Sequence, residues 1–280
     1  MKKLTQKLAF ISLLIAGSIY SQAVLDGVYV KENTPKRNAI SYTPLREADV
    51  IWSKRVWRII DLREKMNQPF YYPEMANSGR QSLFDLIKTA IYNGQLTTFS
   101  VQRDDFAIPL TFSESKDIIS KTEMRLVQNL NDPNLFDTTW IPVEVESREV
   151  IQYLVKEDWF FDKQRGVMEV RILGICPLKQ ALSDDGEFKG YKQLFWIYFP
   201  EARKVFANAE VFNRRNDEER RTYEDIFWKR QFSSFIYKES NVYDRSIPEV
   251  KGQGFILDGL LEAEKIKNSI SNWEHDLWHF

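Results

Sequence analysis

The residues best equipped for chemistry in this chain are few and widely separated. His275 and His279 are the only two histidines. In His275-Asp276-Leu277-Trp278-His279 they stand four apart, a spacing that puts both imidazoles on one helix face where they could ligate zinc. A zincin places Glu after the first His as general base. Here Asp276 is one methylene shorter, and no third ligand follows. Trp273, Leu277 and Trp278 share the segment, so a terminal helix held by apolar packing is the stronger reading. Glu157, Asp158 and Asp162 flank Trp159–Phe161. Carboxylates beside aromatic rings are the equipment of a sugar hydrolase; charge gathered at a hairpin end is the plainer account. Cys176, the single cysteine, lies between Ile175 and Pro177 and reads as a small buried hydrophobe rather than a nucleophile. Alone it forms no internal disulfide and no cysteine-rich zinc site. With both histidines near the C-terminus, a Ser-His or Cys-His mechanism has few options. Gly252-Gln253-Gly254 is the one G-x-G, and Leu257 stands where a dinucleotide loop needs a third glycine. No P-loop and no G-x-S-x-G occurs. Asn213–Arg221 mixes both signs, as a solvated helix start does. No catalytic, cofactor-binding or metal-ligating residue is therefore assigned, and no cofactor is expected.

Composition narrows the class. The chain has 280 residues, 43% apolar and 28% charged, enough to bury a core. Its 39 basic and 40 acidic residues give a net charge of -1, without the basic excess of a nucleic-acid binder. Eight Trp, 12 Tyr and 19 Phe accompany many arginines. Trp, Tyr and Arg are the preferred anchors of protein interfaces, which tilts the reading toward an assembly component.

The N-terminus predicts export. Met1–Lys7 carries Lys2, Lys3 and Lys7 and no acid. Leu8–Tyr20 is an uncharged, mostly apolar run, shorter than the roughly 20 residues a membrane span needs. Ser21-Gln22-Ala23 then offers small residues at both recognition positions of a signal peptidase. Cleavage is expected after Ala23, taking the net charge to -4 by removal of three lysines and no acid. No cysteine lies near that site, so a lipid anchor of the lipoprotein type is not expected.

The elements that must position these residues follow along the chain. Residues 24–47, with Pro35 and Pro44, read as an extended arm. Ala48–Met66 is predicted as an amphipathic helix from Trp52, Val56, Ile59 or Ile60, and Arg63. On that helix Trp52 and Trp57 would lie about half a turn apart, one facing the core and one a partner. A second helix is predicted over Ser82–Tyr92. Strands are predicted over Thr97–Val101 and Phe106–Thr111, a short helix over Ser113–Thr122 and a turn at Asn131–Asn134. The strongest signal is a hairpin: Ile151–Phe161, the turn Asp162–Gly166, and Val167–Ile175. Ser183–Gly186 is a further turn. Leu194–Phe199, apolar on both faces, is predicted as a central strand. Pro200–Phe212, Asn216–Phe232 and Leu260–Trp278 are predicted helices. The sum is one α+β domain over residues 48–280, with a mixed or antiparallel sheet and several flanking helices. It stands behind the arm (24–47) and the signal peptide (1–23).

Several blocks resemble the gliding motility protein family GldN, also called PorN. They are Trp57–Met66 followed by Tyr71-Tyr72-Pro73, then Lys156–Leu178, Leu194–Asn213, and Glu274–Trp278. The resemblance covers nearly the whole mature chain, and none of the blocks is a catalytic motif. It implies a non-enzymatic periplasmic component of the type IX secretion system. Such a component assembles with an outer-membrane lipoprotein of the GldK or PorK type, with copies of itself and with other secretion components, into a ring at the inner face of the outer membrane. No small-molecule substrate and no nucleic acid is implied. Two alternatives stay open on the residues alone: a carbohydrate-active hydrolase using a carboxylate pair, and a zinc-dependent protein.

Overall fold

The computed structural model describes residues 36–77, 79–128, 136–183, 187–213, 216, 219–248 and 256–277, all within one compact unit spanning residues 33–280. The predicted signal peptide and the turn at Asn131–Asn134 lie outside the described residues, as does most of the turn at Ser183–Gly186.

The fold is α+β. A seven-stranded antiparallel sheet has the order β2-β8-β6-β5-β1-β9, with β7 also pairing with β6. Its strands are β1 (Val50–Asp61), β2 (Thr98–Phe99), β5 (Val150–Asp162), β6 (Val167–Leu182), β7 (Phe188–Gln193), β8 (Trp196–Tyr198) and β9 (Phe235–Glu239). β3 (Ser120–Gln128) and β4 (Phe136–Glu144) form a separate two-stranded ribbon. The helices are α1 (Gln68–Tyr71), α2 (Leu83–Tyr92), α3 (Phe112–Ile119), α4 (Phe199–Ala207), α5 (Tyr223–Trp228) and α6 (Ile256–Asp276).

The β5–β6 hairpin follows from local chemistry. The Asp162 carboxylate accepts from the Gln164 and Arg165 backbone N–H groups, and Gly166 takes the φ of 64° that closes the turn. The pairing then runs from Asp162↔Val167 past Val155↔Ile175, with a bulge beside Lys156.

Residues 48–66 are not a helix. Val50–Asp61 is a strand between β5 and β9. From Val56 to Asp61 every residue is buried, as in a strand covered on both faces, and Val, Ile and Trp suit a pleated backbone. Alternation sorts its side chains. Ile60 joins Tyr153 and Val155 in the main core, whereas Trp57 and Ile59 join Leu154, Cys176 and Trp196 on the opposite face. Trp52 and Trp57 therefore point to opposite faces of a sheet and not around a helix. Trp57 is buried, and Trp52 stacks on Trp273 of α6 with centroids 4.6 Å apart.

The main core lies between the sheet and helices α1, α2, α4 and α5. α2 is capped by the Ser82 hydroxyl, which accepts from Asp85 N–H, and buries Leu83, Leu86, Ile87 and Ala90 at helical spacing. Phe227 is the centre of an aromatic cluster, with Phe70, Phe199 and Phe206 at 5.2, 5.3 and 5.7 Å. Each such ring contributes about 1.5–3 kcal/mol by leaving water. α6 covers a second cluster through Ala263, Ile266 and Ile270, against Val56 and Ile236.

Other elements are shorter than expected. Phe106–Thr111 forms no strand; Pro109 makes an isolated bridge to Phe99, and Phe106 turns the chain with φ of 58°. The interior strand over Leu194–Phe199 is only Trp196–Tyr198, placed between β2 and β6. The helix predicted over Pro200–Phe212 ends at Ala207. That over Asn216–Phe232 is only Tyr223–Trp228, because Thr222 and Asp225 make a capping box that starts it there. The final helix, by contrast, starts earlier than expected and runs Ile256–Asp276.

Candidate functional site

The residues that suggested chemistry do not converge. Glu157 and Asp158 are neighbours on β5, so they face opposite sides of the sheet. Glu157 is fully buried and takes a bidentate pair from Arg230 (3.0 and 3.1 Å) and the Trp159 indole N–H (3.2 Å). Asp158 is paired to Arg55 at 2.7 and 2.8 Å. Asp162 caps the hairpin turn. The hydrogen bond from Arg165 holds its carboxyl below the usual range, more than burial raises it. These three carboxylates are structural partners of arginines and do not share a cleft as a hydrolase pair does. A cleft of about 470 Å³ does open beside Trp57 and Trp196. Their rings are 6% and 2% exposed, and the Lys238 and Lys156 amines lie 4.6 and 5.6 Å from the Trp57 centroid.

Cys176 is fully buried, and desolvation pushes its thiol far up, so no thiolate forms. His275 is exposed on α6, whereas His279 and Gly252-Gln253-Gly254 lie outside the described residues. Among the described residues no group of His, Cys, Asp or Glu could hold a metal ion. Of Asn213–Arg221, only Asn213, Asn216 and Glu219–Arg221 are described. The Asn213 amide donates to the Glu219 carboxylate.

The built site in this molecule is a clamp, and nothing in the sequence pattern announced it. Residues 37–43 of the arm lie against α4, α5 and β6. Arg37 makes a bidentate pair with Asp225 (2.7 and 2.8 Å). The Ile40 carbonyl accepts from Arg203, and the Thr43 carbonyl accepts from Arg171 at 2.6 Å. The Tyr42 ring stacks on Trp228 at 5.5 Å, with Arg203 3.9 Å and Arg171 5.0 Å from its centroid. Arg203 is in turn held by Glu224, its Nε 2.8 Å from the carboxylate, both side chains nearly buried. Desolvation raises Glu224 more than Arg203 lowers it. Burial also raises the Tyr42 phenol, against the pull of Arg203. Asp225 ends below its ordinary value: burial raises it, but hydrogen bonds from Thr222 and Arg37 outweigh that. Two carbonyls caught by guanidinium groups, one ring between cations and one ion pair together fix a peptide segment. This arrangement binds chain.

Exposed apolar side chains gather in two further places. A groove of about 1310 Å³ is lined by Met66, Pro69, Tyr72 and Phe212, with Lys65 and Arg221 among its charges. Met66 and Tyr72 are 61% and 47% exposed. Met124 and Trp140 stand exposed on the β3–β4 ribbon.

A family model described as gliding motility associated protein GldN matches residues 45–279. The chain belongs to the GldN family. No curated protein matches it. GldN membership makes it a component of the gliding motility and type IX secretion machinery, and the family is not known for an enzymatic activity. The match takes in every body residue of the clamp, while Arg37, Ile40, Tyr42 and Thr43 precede it. Among the described residues no helix is long and apolar enough to cross a membrane.

Proposed function

We propose that this GldN-family chain is a non-enzymatic structural subunit of the type IX secretion and gliding machinery. It is exported by a signal peptide over residues 1–23. It assembles in the periplasm, through the domain over residues 48–280, with an outer-membrane lipoprotein of the GldK or PorK type. Together with further copies of itself and other secretion components it forms a ring at the inner face of the outer membrane. The observation that carries the reading is the family match over residues 45–279. Two features of the molecule support it. Its candidate catalytic carboxylates are each held by an arginine, and Met66, Tyr72, Met124 and Trp140 stand exposed, side chains of the kind that anchor interfaces. The lipoprotein supplies the membrane attachment.

Affinity capture of a C-terminally tagged chain from detergent-solubilised cell envelope tests this. The lipoprotein is expected to co-purify in amounts comparable to the chain. Recovery of the chain alone, with the lipoprotein intact in the unbound fraction, would overturn the proposal.

A further inference from the structure

We propose that residues 101–107 form a gate that lifts off the sheet as a unit, while the domain stays folded, and uncovers the apolar face around Trp57, Cys176 and Trp196. This stands apart from the ring-subunit reading. The cluster on that face is built from strands, and Phe106 is the one residue packed against it that no strand or helix supplies. Helices α1, α2, α4 and α5 cover the opposite face. A neck fixes both ends of the loop: Ser100 N–H donates to the Ile108 carbonyl at 2.9 Å, and Leu110 N–H to the Thr98 carbonyl at 2.8 Å. Between them only Asp104 and Phe106 are partly shielded from solvent; the other five residues are exposed.

Those two side chains are the latch. The Phe106 ring stands edge-on to Trp196 and Tyr198 at 6.1 and 5.5 Å, and so close over Gly174 that a Cβ there would lie 2.4 Å from its Cζ. Its φ of 58° is one that an L residue keeps only where its surroundings impose it. The Asp104 carboxylate accepts from the Trp57 indole N–H at 2.8 Å and lies 3.3 Å from the Lys156 ammonium, which also donates to the Asp104 carbonyl. Lys156 is the buried end of that pair, its side chain 3% exposed against 37% for Asp104. Burial holds it below the ordinary lysine range, more than Asp104 raises it. Lifting the gate returns this ammonium to water, which offsets part of the lost pair. The cleft of about 470 Å³ is lined both by residues 101–105 and by Trp57, Tyr237 and Lys238, so space already separates much of the loop from the sheet. A segment held by two side chains opens locally at a lower free energy than the strands beneath it.

Cys176, the only cysteine and fully buried in the covered cluster, reports opening. Residues 24–280 are labelled with a small methanethiosulfonate reagent at urea concentrations below the unfolding transition, and global stability is measured on the same samples. Slow labelling, nearly independent of urea, is expected, because local opening exposes little surface. Asp104→Ala removes the carboxylate of the latch, and Gly174→Ala drives a methyl group against the Phe106 ring. Each is expected to speed labelling at least about tenfold, the loss of one charge-assisted hydrogen bond. The added methyl also lies 3.1 Å from the Ile197 carbonyl, so each rate is compared with that variant's own stability. Exchange of the Trp57 indole proton, followed by NMR, is expected to quicken in step in Gly174→Ala, where Asp104 is intact. The proposal is overturned if the unsubstituted chain is labelled only through global unfolding, with its full urea dependence. It is overturned too if the variants gain no more than their lost stability explains, or if Trp57 stays protected while Cys176 reacts.

Discussion

Arg230→Met removes the cation from a carboxylate that has no access to water. Glu157 is 0% exposed, and Arg230 supplies two of its hydrogen bonds, at 3.0 and 3.1 Å. Arg58, on the neighbouring strand, is committed to the Ser234 hydroxyl and carbonyl at 2.8 and 2.9 Å, so it does not take over. Breaking one side of a buried ion pair costs about 3–5 kcal/mol. The Arg230 side chain is 32% exposed and Trp159 still donates, which puts the cost near the lower end, about 3 kcal/mol. Arg230 has φ of 50°, and Met bears the same strain there, so backbone conformation cancels from the comparison. In a domain of this size, about 3 kcal/mol lowers Tm by about 6–12 °C. Urea unfolding followed by tryptophan fluorescence measures it, with an unchanged m-value expected. The double variant Glu157→Leu/Arg230→Met is expected within about 1 kcal/mol of the parent, because an apolar pair leaves no buried charge. The reasoning is refuted if Arg230→Met costs less than about 1 kcal/mol, the range of an exposed pair. It is equally refuted if the double variant is no more stable than the single one.

Three further outcomes follow from the same geometry. Tyr42→Ala removes one ring stack and two cation–π contacts and is expected to cost about 1–2 kcal/mol; trypsin cleavage after Arg37, slow in the parent, should quicken. Asp61, Asp162 and Asp225 all have folded values below the ordinary 3.8, so the unfolded chain binds protons first as pH falls. Their stabilisation is complete above about pH 5 and is lost as pH falls through 3.8 and then through the folded values, and Asp225→Asn should flatten part of that loss in acid-unfolding curves. Cys176 should resist a thiol reagent in the native protein and react stoichiometrically in denaturant; rapid native labelling would contradict the buried position.

Local chemistry was readable and long-range chemistry was not. The β5–β6 hairpin was legible because Asp162–Gly166 carries its own turn signals between two alternating runs. α2 was legible because Ser82 caps a true 3.6-residue pattern. β1 misled because a strand covered on both faces shows no alternation. Trp52, Val56, Ile59 and Arg63 then fell at helical steps by chance. Thr222 and Asp225 shortened a helix that apolar spacing alone extended too far. The clamp had no sequence signature, since Thr43–Arg171, Ile40–Arg203 and Arg37–Asp225 join residues 128, 163 and 188 positions apart. Glu157, Asp158 and Asp162, each singled out from the sequence, are paired with Arg230, Arg55 and Arg165, partners that no local pattern around them named.

The central claim is that this chain works by assembling, and light scattering on residues 24–280 tests it most directly. The chain is measured alone and mixed with the soluble ectodomain of the proposed GldK- or PorK-type lipoprotein partner at micromolar concentration. A stable species heavier than either component, containing both, is the expected result. Two unshifted monomer peaks would contradict it.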